Sequence, residues 1–85
     1  VSTTITNFLE SNGFLKMPLD NGTDSYHNVF TSGTQRYLVS VIIEDNGSYT
    51  FHQSHRPPND TRTATHRMAY ITEQLLMSTL ERFVK

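Results

Sequence analysis

The stretch RYLVSVIIEDNGSYTFHQ, Arg36 to Gln53, constrains the fold of this chain more than any other. Tyr37, Val39, Val41, Ile42 and Ile43 precede Asn46-Gly47, and Tyr49, Thr50 and Phe51 follow it. β-branched and aromatic residues suit a pleated, half-buried surface, and Asn-Gly supplies the two positive-φ residues of a type I′ turn. A β-hairpin is therefore predicted, with Asn46 and Gly47 as its central turn residues. A two-residue loop sets Asp45 opposite Ser48, Ile43 opposite Thr50 and Ile42 opposite Phe51. Side chains alternate between the faces of a sheet. That register puts Tyr37, Val39, Val41 and Ile43 on one face with Thr50 and His52, and Leu38, Ile42, Tyr49 and Phe51 on the other. Both faces are then apolar, which a sheet with one wet side does not require.

The flanking segments extend the meander. STTITNFLESNGF reads as a short helix: Ser2, Thr3 and Thr4 can cap it, and Ile5, Phe8 and Leu9 fall at helical spacing. Gly13 can end it in the left-handed conformation. Phe14 to Leu19 suggests a short strand that Pro18, lacking an N–H, confines to a sheet edge. DNGTD, from Asp20 to Asp24, is a turn, Tyr26 to Thr31 is the next strand, and Ser32-Gly33 reverses the chain. From about Ala64 to Val84, Met68, Ile71, Leu75, Leu76, Leu80 and Phe83 recur at three- and four-residue steps, predicting one long helix with Asp60, Thr61 or Thr63 as its N-cap. Tyr70 and Met77 fall outside its main stripe. The expected fold is a single α+β domain over residues 1–85: a short N-terminal helix, an antiparallel meander of three or four strands, and a long C-terminal helix packed on the sheet.

Composition narrows function mainly by exclusion. Eighty-five residues accommodate one modest core. There is no cysteine, so disulfides, thiolate metal sites and cysteine nucleophiles are out of reach, and a cytoplasmic setting fits. No apolar stretch approaches the length of a transmembrane helix, and no signal-peptide pattern opens the chain. A formal net charge of -1 argues against a general phosphate binder. Walker A, G-x-S-x-G and G-x-G-x-x-G motifs are absent, and no cofactor is implied. The sequons at Asn21, Asn46 and Asn59 all coincide with residues that turns favour.

FHQSHRPPNDTRTATHR, Phe51 to Arg67, gathers three of the four histidines. His52, His55 and His66 with Asp60 offer zinc-type donors, but their spacing fits no closed template, and alternation sends His52 and His55 to opposite faces. No metal site is expected. Arg56, Arg62 and Arg67 make the segment weakly basic, a candidate nucleic-acid contact without aromatic stacking residues inside it. The simplest reading is an exposed crossover from strand to helix.

The order helix, strands, helix resembles the double-stranded RNA-binding fold. Within it, FLESNGF followed by SYHNVF and RYLVSV is similar to the opening of HicA-type mRNA interferase toxins, in which a short helix runs into a Gly-Phe strand and the next strand carries a catalytic histidine. That resemblance implies that His27 serves as general base or acid toward an RNA 2′-hydroxyl. The residues read without it point elsewhere. Surplus apolar surface and absent catalytic motifs favour a non-enzymatic protein-binding module, of regulator, adaptor or inhibitor type. It would self-associate or dock a protein partner through Leu38, Ile42, Tyr49, Phe51, Tyr70 and Met77. RNA binding or cleavage is the alternative. Convergence of Arg36, Arg56, Arg62 and Arg67 on the face of His27 would favour it.

Overall fold

The computed structural model describes residues 3–20, 22–56 and 64–84. The elements run α1 (Thr3–Ser11), β1 (Leu15–Pro18), β2 (Asp24–Ser32), β3 (Gln35–Ile43), β4 (Tyr49–Arg56), β5 (Ala64–Ile71) and α2 (Glu73–Val84). The strands form one antiparallel sheet in sequence order, β1-β2-β3-β4-β5. The α+β class, the short first helix and the edge position of β1 agree with the sequence reading. Five strands stand where three or four were expected.

Local chemistry accounts for the first boundaries. Helix α1 ends in a Schellman arrangement: Phe14 N–H donates to Leu9 C=O at 3.0 Å and Gly13 N–H to Glu10 C=O at 3.2 Å. Gly13 takes φ +85°, open to glycine without a Cβ clash. Between β2 and β3 the two-residue loop Gly33-Thr34 follows the Ser32–Gln35 pair. Gly33 has φ +63° and Thr34 stays in the negative range, as a type II′ turn requires.

The β3–β4 hairpin differs from expectation by one residue. Glu44, not Asp45, faces Ser48: Glu44 N–H donates to Ser48 C=O at 2.9 Å and Gly47 N–H to Glu44 C=O at 3.0 Å. The central turn residues are Asp45 and Asn46, with Gly47 following at φ +85° as the left-handed third residue of the loop. Asn46 Oδ1 accepts from Ser48 N–H at 3.0 Å and from its hydroxyl at 2.5 Å, an Asx interaction that holds Asn46 inside the turn. The two-residue turn is thereby corrected. A one-residue slip moves every side chain of one strand to the other face, so Ile43 pairs with Tyr49 and Val41 with Phe51. Tyr49 and Phe51 join Val39, Val41 and Ile43, while Thr50 and His52 join Leu38 and Ile42.

The second correction is at the C-terminal end. The long helix is instead a strand, β5, and a 12-residue helix, α2. Tyr49 pairs with Ile71 and Phe51 with Met68, so Ala69 and Tyr70 together oppose Thr50 in a β-bulge. That extra residue explains the misleading periodicity. Met68 and Ile71, three apart, face the same side of a bulged strand just as they would on a helix. The cap of α2 is Thr72, whose Oγ1 accepts from Leu75 N–H at 3.3 Å, with Glu73 at the positive end of the helix dipole. Asp60, Thr61 and Thr63, the expected caps, lie outside the described residues, and the segment after β4 leads to a strand rather than to a helix.

The core lies between the helices and one sheet face. Ile5 and Leu9 of α1 and Leu76 and Leu80 of α2 are fully buried against Tyr26, Val39, Val41, Ile43, Tyr49, Phe51 and Ile71. Phe83 closes one end, its ring centroid 5.6 Å from Phe30 and 6.1 Å from Phe51. Burial of such side chains is worth about 1.5–3 kcal/mol each. All of it falls on one side. No described helix covers the other side of the sheet.

Candidate functional site

Antiparallel pairing aligns the side chains of the helix-free face in rows. Leu15, His27, Ser40, His52 and Arg67 are consecutive cross-strand partners from β1 to β5. A second row runs Met17, Ser25, Ile42 and Thr50, and a third Val29, Leu38, Ser54 and Thr65. Leu15 is 72% exposed, Met17 54%, Val29 48% and Leu38 46%, and Ile42 is half-buried between them. Small polar side chains sink among these larger ones: Ser25 and Thr50 are each 1% exposed.

His27 is fixed at the centre of the β1–β3 part of this face. Its Nε2 lies 2.6 Å from Ser25 Oγ and its Nδ1 2.9 Å from Ser40 Oγ. In either neutral tautomer one hydroxyl donates to the bare nitrogen and the other accepts the N–H. A general base acting on RNA must present a nitrogen to the substrate proton. Here both nitrogens are engaged within the chain by serine hydroxyls of β2 and β3.

The residues expected to bind a partner are divided by the fold. Leu38 and Ile42 lie on the helix-free face. Tyr49, 3% exposed, and Phe51, fully buried, are core residues and cannot line a docking surface; the register correction is the cause. Met77 is half-buried against the core from α2. Tyr70 is exposed at the β5 bulge with φ +56°, beside a hollow lined by Thr23, Glu44, Asp45 and Asn46. Leu15, Met17 and Val29 went unnoticed in the sequence. Their signal was the alternation Leu15-x-Met17 and Ser25-x-His27-x-Val29, legible only once both helices are assigned to the opposite side.

The histidine-rich stretch is divided as well. His52 is on the helix-free face, whereas His55 stacks on Tyr37 on the helix side, ring centroids 4.6 Å apart, and His66 lies edge-on to Phe51. Among the described residues no three histidine or acidic side chains are grouped to hold a metal ion; Asp60 and Arg62 lie outside them. Arg36 and Arg67 share the face of His27, and the Arg36–Arg56 pairing assigns position 56 to the same face. No carboxylate occupies a described strand position of this face. Glu44 and Asp45 stand at one end of it, in the β3–β4 loop. No described helix is long and apolar enough to cross a membrane. Comparison with protein-family models, with curated proteins and with solved structures gives no match.

Proposed function

We propose that this chain is a small non-enzymatic protein-binding module, of regulator or adaptor type, whose binding surface is the helix-free face of the sheet. The observation that carries this reading is the cluster of Leu15, Met17, Val29 and Leu38, all about half exposed or more, around the partly buried Ile42. Antiparallel sheets with one solvated face place polar side chains there, and a contiguous apolar patch on a small domain marks an interaction surface. Aliphatic side chains on a flat sheet match another protein's apolar surface rather than a small molecule, which requires a concave site. Protein captured by the immobilised wild-type chain should be lost with Leu38→Glu or Val29→Glu and retained with Leu75→Glu, an equally exposed leucine on α2. Equal capture by all three variants overturns the assignment of the face.

One observation favours RNA as a second reading: Arg36 and Arg67 lie with His27 and His52 on a single face. Sheet-face RNA readers stack bases on aromatic side chains, and none of the paired positions in the three rows carries phenylalanine or tyrosine. Affinity for single- or double-stranded RNA that falls steeply with salt and is lost in Arg36→Ala and Arg67→Ala would establish it over the protein reading. RNA cleavage abolished by His27→Ala would establish the toxin-like activity.

A further inference from the structure

We infer that the occupant of the helix-free face is a second copy of this chain, packed sheet to sheet about a two-fold axis that crosses the strands along the row Leu15, His27, Ser40, His52 and Arg67. This rests on reading the face as a protein-binding surface and adds the partner and its orientation. The first argument is charge. Along β3 the outward positions are Arg36, Leu38, Ser40 and Ile42. Glu44 is next in the alternation and closes the hairpin with Ser48. The strand thus presents a cation at one end and a carboxylate at the other, at equal distances in sequence from Ser40.

A two-fold axis through Ser40 and perpendicular to the strands reverses their direction while keeping β3 over β3. Arg36 of each copy then meets Glu44 of its partner, Leu38 meets Ile42, and Ser40 meets Ser40. An axis parallel to the strands would instead bring Arg36 onto Arg36 and Glu44 onto Glu44, which like-charge repulsion disfavours. Arg67 meets its own counterpart in the perpendicular arrangement. It lies on the edge strand, where twisted sheets packed at about 30° diverge and leave the rim in water.

The second argument is area. Five strands spaced about 4.8 Å apart, with about nine residues at 3.3 Å in the longest, present roughly 600–700 Å². A stable interface buries about 800 Å² on each partner at standard size, with smaller ones at the low end. The face is therefore just large enough for a dimer if most of it is covered, and an isologous contact covers the same patch on both copies. Ser40 at the centre of the axis, with Ser25 and Thr50 in the adjoining row, leaves room at the middle of the contact for sheet-to-sheet approach near 10 Å, while His27 and His52 on the axis meet their own counterparts on either side of Ser40.

The test is a charge reversal with rescue, read by light scattering on a size-exclusion column and by sedimentation across a concentration series. The wild type is expected at twice its 9.7 kDa chain mass. Arg36→Glu and Glu44→Arg should each weaken association on the order of tenfold, because each reversal acts twice in a two-fold dimer. Circular dichroism establishes that both variants are folded. An equimolar mixture of the two variants should recover wild-type affinity. In the mixed dimer the two substituted side chains, now of opposite charge, face each other at one contact, and the native Arg36–Glu44 pair forms at the other. A wild type monomeric up to hundreds of micromolar overturns the dimer, as does a dimer that both reversals leave unchanged or whose mixture shows no recovery. A monomeric wild type whose captured protein is lost with Leu38→Glu would refute only the dimer and keep the protein-binding surface. Failure of that capture pattern would remove the surface itself.

Discussion

Three side chains show how individual residues carry the tension between a buried and an open face. Thr50 is packed under Ile42 opposite the β5 bulge, and its Oγ1 has no hydrogen-bond partner. An unmet buried hydroxyl costs about 1–3 kcal/mol, and an isosteric apolar replacement avoids that cost. Thr50→Val should therefore raise stability by about 1 kcal/mol in urea denaturation; a fall would show that the hydroxyl is satisfied in solution. Tyr26, 2% exposed, titrates above its ordinary value of 10.0, chiefly because burial disfavours the phenolate, with Glu10 and Asp24 adding to the effect and Lys16 opposing it. The folded state holds this proton more tightly than the unfolded one. The stabilisation is complete below about pH 10 and is lost as pH rises through the folded-state value. Tyr26→Phe should remove that component of alkaline unfolding and leave the neutral-pH melting profile nearly as it was. Tyr70 holds φ +56°, a conformation that costs a residue with a Cβ about 1–2 kcal/mol. The bulge accounts for that strain, because the extra residue must turn the chain before Ile71 re-enters the core.

At the scale of elements, the hairpin and the β5–α2 junction mark where local sequence stops determining structure. Gly47→Val should cost on the order of 1 kcal/mol or more, since Gly47 takes φ +85° even though it follows the turn rather than sitting at its centre. Thr72→Ala should cost about 1 kcal/mol through loss of the N-cap, whereas a helix starting near residue 64 would make Thr72 an interior position at which alanine stabilises. The sign of that one measurement separates the two. Helix α1, its glycine stop, the β1 edge and the β2–β3 reversal were all legible, because each depends on a local backbone constraint read from a few residues. The hairpin register was not, because Asp-Asn-Gly permits both a two-residue I′ turn and a three-residue loop, and the choice is made by burial of Tyr49 and Phe51 against Ile5, Leu9 and Leu76. Nor was β5: its eight residues gain stability only by pairing with the otherwise open edge of β4, a contact that no window of adjacent residues contains. The apolar face was anticipated, but with Tyr49 and Phe51 where the slip puts Thr50 and His52, and without Leu15, Met17 and Val29, whose place on β1 and β2 becomes an open face only when both helices pack on the other side.

For the whole molecule, the asymmetry between the faces bears on stability as much as on partners. The shortest extent, 20 Å, accommodates one helix layer on one sheet, so the twelve buried hydrophobic residues among those described supply the core from a single side. A single-core chain of this length stands near the lower limit of independent stability. Covering Leu15, Met17, Val29, Leu38 and Ile42 in a dimer would add a second apolar layer, and any species that binds only the folded state raises apparent stability by mass action. The melting temperature of the wild type should accordingly rise with protein concentration. Leu38→Glu, an exposed substitution that spares the core, should abolish that dependence while lowering the dilute-limit value little. The two outcomes are linked through a single face. A concentration-independent melt in the wild type would mean that the helix side alone stabilises the fold, and an unchanged dependence in Leu38→Glu would relocate the contact to another surface. Val29, directly paired with Leu38 across β2 and β3, supplies the control: Val29→Glu should reproduce the loss, because a charge at either member of the pair enters the same covered row.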